Sequence, residues 1–396
     1  MEGWIECSLG DVITLKRGYD LPHKERKDGY VPIVSSSGIS GLHNKAKVKA
    51  PGVVTGRYGT LGEVFYIEKP YWPLNTTLYI QEFKGNHPRF ISYFLKTLDF
   101  ASLSAAAAVP GLNRNHLHLL PVHLPPLPTQ RKIASILSAY DDLIENNLRR
   151  IKILEEMAQN LYREWFVKFR FPGHQHTCFI DSPMGQIPEG WAVKTVENTF
   201  DILGGGTPSK VVHEYWSEGT INWYSPTDLT ATGSMFMEYS GNQISELGLK
   251  KSSARLFPPF SVMMTSRATL GVISINTTEA CTNQGFITCI PDEHFPLYTL
   301  YYWLKENVEY FISLGTGATF KEITKGVFKT IELVVPVHAI ISQFEETMQP
   351  FALQILNLQR KNTVLRRTRD LLLPRLISGE VDVSELDISV PEKADE

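Results

Sequence analysis

The stretch QRKIASILSAYDDLIENNLRRIKILEEMAQNLYREWFVK, residues 130–168, decides the fold. A proline-rich entry (Pro125, Pro126, Pro128) precedes it, and nothing within it breaks a helix. Apolar residues recur at Ile133, Leu137, Tyr140, Ile144, Ile151, Leu154, Ala158, Leu161 and Trp165, spaced alternately by four and three, with Asn147 in the one vacancy. That narrow stripe is the seam of a coiled coil, not the wider face of a core-packed helix. At 1.5 Å per residue such a helix is roughly 55–60 Å long. A rod of that length needs a partner.

The partner lies near the C-terminus. Phe344, Met348, Phe351, Ile355, Leu358, Leu365 and Leu372 keep the same rhythm, with Asn362 and Arg369 in the remaining seam positions. Pro350 removes a backbone donor, so the sequence predicts a short helix ending near Met348 and a long one starting with Pro350 in its first turn. Pro374 and Gly379 mark the exit. Each seam carries one asparagine, Asn147 and Asn362, which fixes register where the two meet or faces solvent where they do not.

The chain has 396 residues, enough for two cores. No apolar run reaches the length of a membrane span, and the Met-Glu-Gly-Trp start lacks the basic and apolar regions of a signal peptide. Cys7, Cys178, Cys281 and Cys289 are scattered, which fits a reducing cytoplasm. The net charge of −3 argues against indiscriminate nucleic-acid binding. Residues 380–396 hold seven acids against Lys393, however, and the remainder of the chain is net +3. If DNA is the ligand, the positive charge must be local or come from other subunits.

The second half repeats the first. Gly3-Trp4 matches Gly190-Trp191, Thr60-Leu61-Gly62 matches Thr269-Leu270-Gly271, Phe94-Leu95-Lys96 resembles Trp303-Leu304-Lys305, and Pro125 answers to Pro336. The offsets are 187 at the start, 209 at the Thr-Leu-Gly turn and 211 at the helix entry, so the second module gains 22 residues, where 204–251 lies. A duplicated scaffold with diverged inserts suits two readers of different targets. Strands are expected at 31–34, 53–55, 64–67, 78–80, 262–264, 272–275 and 286–289, and helices at about 89–98 and 297–314. The predicted organisation is 1–125, first globular domain; 126–172, central helix; 173–188, linker; 189–335, second globular domain; 336–379, distal helix; 380–396, acidic tail.

Four motifs carry a resemblance: Leu127-Pro-Thr-Gln130, Leu372-Leu-Pro-Arg-Leu-Ile-Ser-Gly-Glu380, Gly205-Gly-Thr-Pro-Ser-Lys210 and Gly315-Thr-Gly-Ala-Thr-Phe320. The chain resembles, over nearly its whole length, the DNA-specificity subunit of type I restriction-modification enzymes. Its first module keeps a reduced version of the last motif, Ala107-Ala-Val-Pro-Gly-Leu112. The resemblance implies an α+β fold: two mixed α/β target-recognition domains separated by an antiparallel pair of long coiled-coil helices, with a pseudo-twofold internal repeat. It also implies that each domain reads one half of a split double-stranded DNA site. Two methyltransferase subunits and translocase-nuclease subunits would dock around the helices. The chain would then be non-catalytic, with S-adenosylmethionine held by the methyltransferase partner. A rigid spacer suits this role, because half-sites read from one DNA face lie about 34–36 Å apart.

Candidate DNA contacts sit on glycine-flanked turns. Arg57, Tyr58 and Thr60 in the first module and Arg267 and Thr269 in the second occupy corresponding turns; arginine reads guanine bidentately, or it pairs with a carboxylate and holds the turn. Thr207, Ser209 and Lys210 can donate to phosphates, Arg114 and Asn115 belong to a donor cluster at a helix start, and Thr319 and Lys321 complete the set. Lys45, Lys47 and Lys49 are phosphate-positioning or merely solvated charge. Trp165, Phe166 and Phe169 exceed what one seam buries, so they pack on a globular domain or form a subunit interface; Arg366 and Arg367 face a partner or the DNA. Gly204-Gly-Gly-Thr-Pro-Ser-Lys210 lacks the ending of a phosphate loop. His174, His176 and Cys178 lack a fourth metal ligand. The alternative to a DNA reader is a non-catalytic coiled-coil scaffold with peptide- or glycan-binding heads.

Overall fold

The proximal long helix runs Leu127–Tyr162, 36 residues, and closes with a π-helical turn at Arg163–Val167. The distal long helix runs His338–Ile377, 40 residues without a break. The structure, a computed structural model, describes residues 3–100, 102, 111–317 and 321–388. It divides into two compact units: residues 1–146 with 362–396, and residues 147–361. Each unit thus owns a globular part and a stretch of both long helices. The fold is α+β, as the sequence predicts.

The expected break at Pro350 does not occur. Proline there removes one backbone hydrogen bond. Phe344 and Met348 on one side and Ala352 and Ile355 on the other are all buried, and this packing carries the helix across the gap. Pro374 is likewise inside the helix. The seam periodicity is otherwise visible as burial: Ile133, Leu137, Ile144, Asn147, Ile151 and Ala158 on the proximal helix, and Phe344, Met348, Ile355, Leu358 and Asn362 on the distal one. Within unit 1 the helices run antiparallel. Arg369 meets Asp141 at 2.6 Å and the Asn362 side-chain amide reaches the Ile144 carbonyl at 3.4 Å.

The globular part of unit 1 opens with β1 (Ile5–Ser8), β2 (Thr14–Arg17), β3 (Val31–Ser35), β4 (Gly38–His43) and β5 (Gly52–Gly56). It continues through β6 (Val64–Ile67), β7 (Trp72–Pro73), β8 (Thr77–Glu82) and β9 (Pro121–Leu124). The main sheet has the order β2-β8-β5-β6, all antiparallel, beside a β4-β3-β7 sheet and a β1-β9 pair that leads into the proximal helix. Every residue of β5 is buried, so both faces of this central strand are covered and its sequence does not alternate between apolar and charged residues. The acidic tail is partly structural: Val383 is 2% exposed among the unit 1 core residues, and Lys132 donates to the Ser384 carbonyl at 2.5 Å.

Unit 2 repeats this order with additions. A hairpin of β10 (Phe179–Ser182) and β11 (Gly185–Pro188) occupies the predicted linker. Then come β12 (Ala192–Thr195), β13 (Asp201–Gly204), β14 (Ile221–Tyr224), β15 (Phe236–Met237), β16 (Asn242–Ile244) and β17 (Val262–Thr265). The rest are β18 (Ile273–Asn276), β19 (Ala280–Thr282), β20 (Phe286–Ile290) and β21 (Glu332–Val335). The main sheet is β13-β20-β17-β18-β15, the small sheet β16-β14-β19, and β12 pairs with β21 before the distal helix. The single helix expected at 297–314 is two, Leu297–Glu306 and Val308–Leu314. Asn307 separates them, its side-chain amide donating to the Trp303 carbonyl at 2.8 Å in competition with the helical ladder.

The aromatic cluster of the sequence reading finds its partners inside unit 2. Phe344 is fully buried against Phe166, Trp165 and Tyr162, with ring centroids 4.8, 5.7 and 5.9 Å away. Trp165 and Phe166 are 7% and 9% exposed. Their expected role at a subunit interface is corrected: these side chains anchor both long helices to the globular part of their own unit. Phe169, half-buried, packs edge-on against Phe179 and Trp191.

Candidate nucleic-acid interface

In unit 1 the turn after β5 is pinned from both sides. The Arg57 and Tyr58 amides both donate to the Thr76 carbonyl, at 2.8 and 3.2 Å, while the Arg57 carbonyl accepts from Leu112 at 2.9 Å. Gly59 takes a left-handed φ of +80°, and Gly56 lets the Thr60 carbonyl fold back, since a Cβ there would come within 1.9 Å of it. Asn113 caps the short helix Arg114–His118 by accepting from the Asn115 amide at 3.0 Å. These elements enclose a cleft of about 530 Å³ lined by Arg17, Arg57, Tyr58, Leu78, Gly111, Leu112, Asn113 and Arg114.

Among the described residues no carboxylate lines that cleft, and three arginines do. The Arg57 guanidinium lies 4.5 Å over the Tyr58 ring and donates to its hydroxyl at 3.3 Å. Tyr58 itself rests where a side chain at 111 would be: a Cβ on Gly111 would stand 2.3 Å from the ring. Arg17, at the end of β2, is exposed and 3.8 Å from Asp20, a distance at which an exposed pair contributes little.

Unit 2 builds the same turn. Ile323 donates to the Ser266 carbonyl at 3.0 Å, as Leu112 does to Arg57. Ala268 is left-handed at φ +63° where unit 1 has Gly59, and Gly271 at +92° answers Gly62 at +88°. Thr324 caps the five-residue helix Lys325–Lys329 as Asn113 caps Arg114–His118. The backbone therefore equates Arg57 with Ser266 and Tyr58 with Arg267. The two arginines share a turn but are offset by one position, which corrects the one-to-one match read from the sequence.

The chemistry differs accordingly. Arg267 faces Glu322, the counterpart of Gly111, at 3.7 Å. Lys325, the counterpart of Arg114, lies over Gly204, the counterpart of Arg17, with its Nζ 2.6 Å from where a Cβ would be. Thr207 donates to Gln284 at 2.6 Å, and the neighbouring Gly285 carbonyl accepts from Ser266 at 2.8 Å, so the Gly-Gly-Thr loop abuts the arginine turn. Ala268 donates to the Lys321 carbonyl at 3.2 Å, and the exposed Thr269 receives the Thr265 hydroxyl on its carbonyl. Ser209 and Lys210 lead away from this site. The Ser209 carbonyl accepts from Trp216 at 3.1 Å, and Lys210 lines a hollow of about 260 Å³ with His213, Trp216, Trp223 and Asn242. Thr319 lies outside the described residues.

Sequence reasoning missed Arg17, Glu322 and Lys325. Their signal was available only through the repeat: offsets of 187 and 211 map Arg17 to Gly204 and Arg114 to Lys325, which gives them meaning once one member of each pair is placed. Lys47 is not free surface charge, since its Nζ sits 5.1 Å over Trp72 and 5.6 Å over Tyr19. Arg366 and Arg367 are exposed on the distal helix. Among the described residues no group of three or more His, Cys, Asp and Glu is arranged to hold a metal ion, and no helix is long and apolar enough to cross a membrane.

Known proteins share both sequence and fold with this chain. A stretch of 212 residues is 31% identical to the type I restriction enzyme MjaIX specificity subunit of Methanocaldococcus jannaschii, covering 51% of this chain and 46% of that protein. The chain thus spans about half the length of that relative. The HindI specificity subunit of Haemophilus influenzae is 25% identical over 336 residues, covering 70% of this chain and 72% of that one. The fold is similar to the crystal structure of a type I restriction-modification S subunit from M. genitalium, with a TM-score of 0.60 over 94% of this chain and 96% of that one, at 15% identity. Residues 1–156 and 188–366 match the family described as the type I restriction modification DNA specificity domain, and the chain belongs to that family.

Proposed function

We propose that this chain is the non-catalytic sequence reader of a type I restriction-modification complex, each unit binding one half of a split double-stranded DNA site. The observation that carries the reading is the turn after β5 and after β17. Two of its backbone hydrogen bonds recur in both units, Arg57 to Thr76 as Ser266 to Gly285 and Leu112 to Arg57 as Ile323 to Ser266, while the side chains at its tip differ. A scaffold held constant while its tip residues diverge is what two readers of different base sequences require. Residues Arg57, Tyr58, Thr60, Arg114 and Asn115 would meet one half-site, and Thr207, Arg267, Thr269 and Lys321 the other.

The weak overall charge places most of the electrostatic work on partner subunits. Two methyltransferase subunits, carrying S-adenosylmethionine, and restriction-translocase subunits would dock on the long helices, and the complex would work in the cytoplasm. Exposed apolar side chains support such docking: Ile153, Met157 and Leu353 in unit 2, and Leu143, Val364 and Leu371 in unit 1, are each at least half exposed. Arg366 and Arg367 would face a partner or the DNA backbone.

The test reconstitutes the chain with its methyltransferase and maps methylation by single-molecule sequencing with and without it. The expected result is one split motif that appears only with the chain. Binding to random duplex should fall steeply with salt. A flat salt response and no motif would favour a protein-bridging scaffold.

A further inference from the structure

The two units place chemically opposite groups at one position of the fold. In unit 1 the charged groups described in the cleft are all cationic, with the Tyr58 hydroxyl and the Asn113 amide as the neutral polar groups beside them. Arg57 is held on Tyr58, with Arg17 and Arg114 on the flanks; among the described residues no carboxylate lines the cleft, Asp20 lying outside the lining at 3.8 Å from Arg17. In unit 2 the same position carries both donor and acceptor, Arg267 with Glu322 at 3.7 Å. The Arg57 fork is also oriented before any ligand arrives. Its backbone is tied to Thr76 and Leu112, its guanidinium is stacked on an aromatic ring, and that ring is seated in the space left by Gly111.

We infer that Arg57 is the base-reading side chain of unit 1 and selects guanine at one position of its half-site, while Arg17 and Arg114 hold the flanking phosphates. The inference rests on the DNA-reading function proposed above. A guanidinium presents two parallel N–H groups, and guanine alone among the bases shows two acceptors, N7 and O6, on its major-groove edge. A ring-stacked arginine loses little rotational freedom on binding, so its geometry favours selectivity over general phosphate attraction. Exposed arginines such as Arg17 suit phosphates, where any donor geometry serves. Glu322 makes unit 2 unsuited to the same task, because a carboxylate beside the arginine meets an acceptor-only edge unfavourably. That unit is expected to require an amino group next to its acceptor.

The experiment uses the full chain assembled with its methyltransferase, measuring methylation of duplexes in which each motif position is varied. In the wild type the motif itself tests the general function: without any motif, the broader reading fails whatever the variants do. Given a motif, Arg57→Gln should relax one guanine in one half-site by roughly ten- to a hundredfold and shift it toward adenine, leaving the other half-site unchanged. Gly111→Ala, which displaces the Tyr58 ring without altering charge, should relax the same position with an unchanged salt slope. It also serves where Arg57→Gln fails to assemble. Arg17→Gln should weaken all duplexes alike and reduce the salt slope by about one. Retention of every guanine requirement in both Arg57→Gln and Gly111→Ala would overturn the assignment, as would equal loss on all sequences.

Discussion

Asp141 and Arg369 bridge the two long helices within unit 1, with Arg369 Nη1 donating to Asp141 Oδ1 at 2.6 Å and each side chain 25% exposed. The Tyr93 hydroxyl donates to the other Asp141 oxygen at 2.5 Å, so one carboxylate joins both helices to the helix Pro88–Lys96 of the globular part. Asp141→Ala would leave a three-quarters-shielded guanidinium with only Asp370 beside it. The cost should lie between that of a surface pair and a buried one, about 1–2 kcal/mol. Urea unfolding of the unit 1 transition measures it. The double variant Asp141→Leu with Arg369→Leu should recover part of the loss, and no recovery would show that the pair is not what couples the helices.

That relationship also shows how far the sequence could be read. The four-three spacing placed Arg369 in a seam that is apolar apart from it and Asn362, but no periodicity names Asp141 as its partner, because Asp141 is one position beyond Tyr140 in the predicted stripe. Long amphipathic helices, the internal repeat and most strands of the main sheets were legible, since each rests on local spacing. What was not legible was long-range. Pro350, itself exposed, fails to break its helix because Phe344, Met348, Ala352 and Ile355 on either side are buried in the unit 2 core, and Trp165 turns inward because Phe344 awaits it. Arg17, Gly111 and Arg57 converge on one cleft although nearly a hundred positions separate the outer two. The one-residue offset between Arg57 and Arg267 was implicit in the Thr-Leu-Gly offset of 209, which carries Arg57 to Ser266, and the backbone hydrogen bonds with the matching left-handed Gly59 and Ala268 establish it.

Ala268 holds a conformation, φ +63°, that L-residues other than glycine adopt at a cost of about 1–2 kcal/mol. Gly59 occupies the corresponding place in unit 1 without that strain. Ala268→Gly should therefore stabilise unit 2 by about 1 kcal/mol. It should at the same time loosen Arg267 and lower discrimination at its half-site. A thermal melt and a binding comparison on motif and scrambled duplexes read the two effects. A lowered melting temperature would mean the turn is not strained at this residue.

His118, last in the short helix Arg114–His118, accepts from the Leu15 amide through Nε2 at 2.9 Å and so ties that helix to β2. The bond requires a neutral ring. Burial, with Lys84 and Arg114 adding to it, pushes the imidazole below the ordinary histidine value of 6.5. A depressed pKa in the folded state means that unfolding takes up protons. The stability this group contributes is present above 6.5 and is lost as pH falls through the folded value. His118→Gln keeps an acceptor and cannot titrate. The wild type should lose stability relative to this variant between about pH 7 and 5, and Arg17 and Arg114, carried by the two tied elements, should bind phosphate less well over the same range. Parallel pH profiles for the two proteins would refute the account.

Glu345 on the distal helix has the opposite sign. Its carboxylate accepts from the Tyr298 and Thr299 amides at 3.1 and 2.7 Å and from the Thr299 hydroxyl at 2.8 Å, satisfying the first turn of the helix Leu297–Glu306. Burial nonetheless outweighs these bonds and raises the carboxyl above the ordinary 4.5. Folding therefore favours the protonated form. The contribution is fully present below 4.5 and declines as pH rises through the folded value. Glu345→Ala leaves two partly buried amides without this acceptor and should cost about 1–3 kcal/mol at neutral pH, whereas Glu345→Gln retains one acceptor oxygen and should cost less. The difference in unfolding free energy between wild type and Glu345→Gln, followed from pH 4 to 7 on the unit 2 transition, should move in favour of the variant as pH rises. Movement in the other direction would mean that the hydrogen bonds, and not burial, dominate this carboxylate.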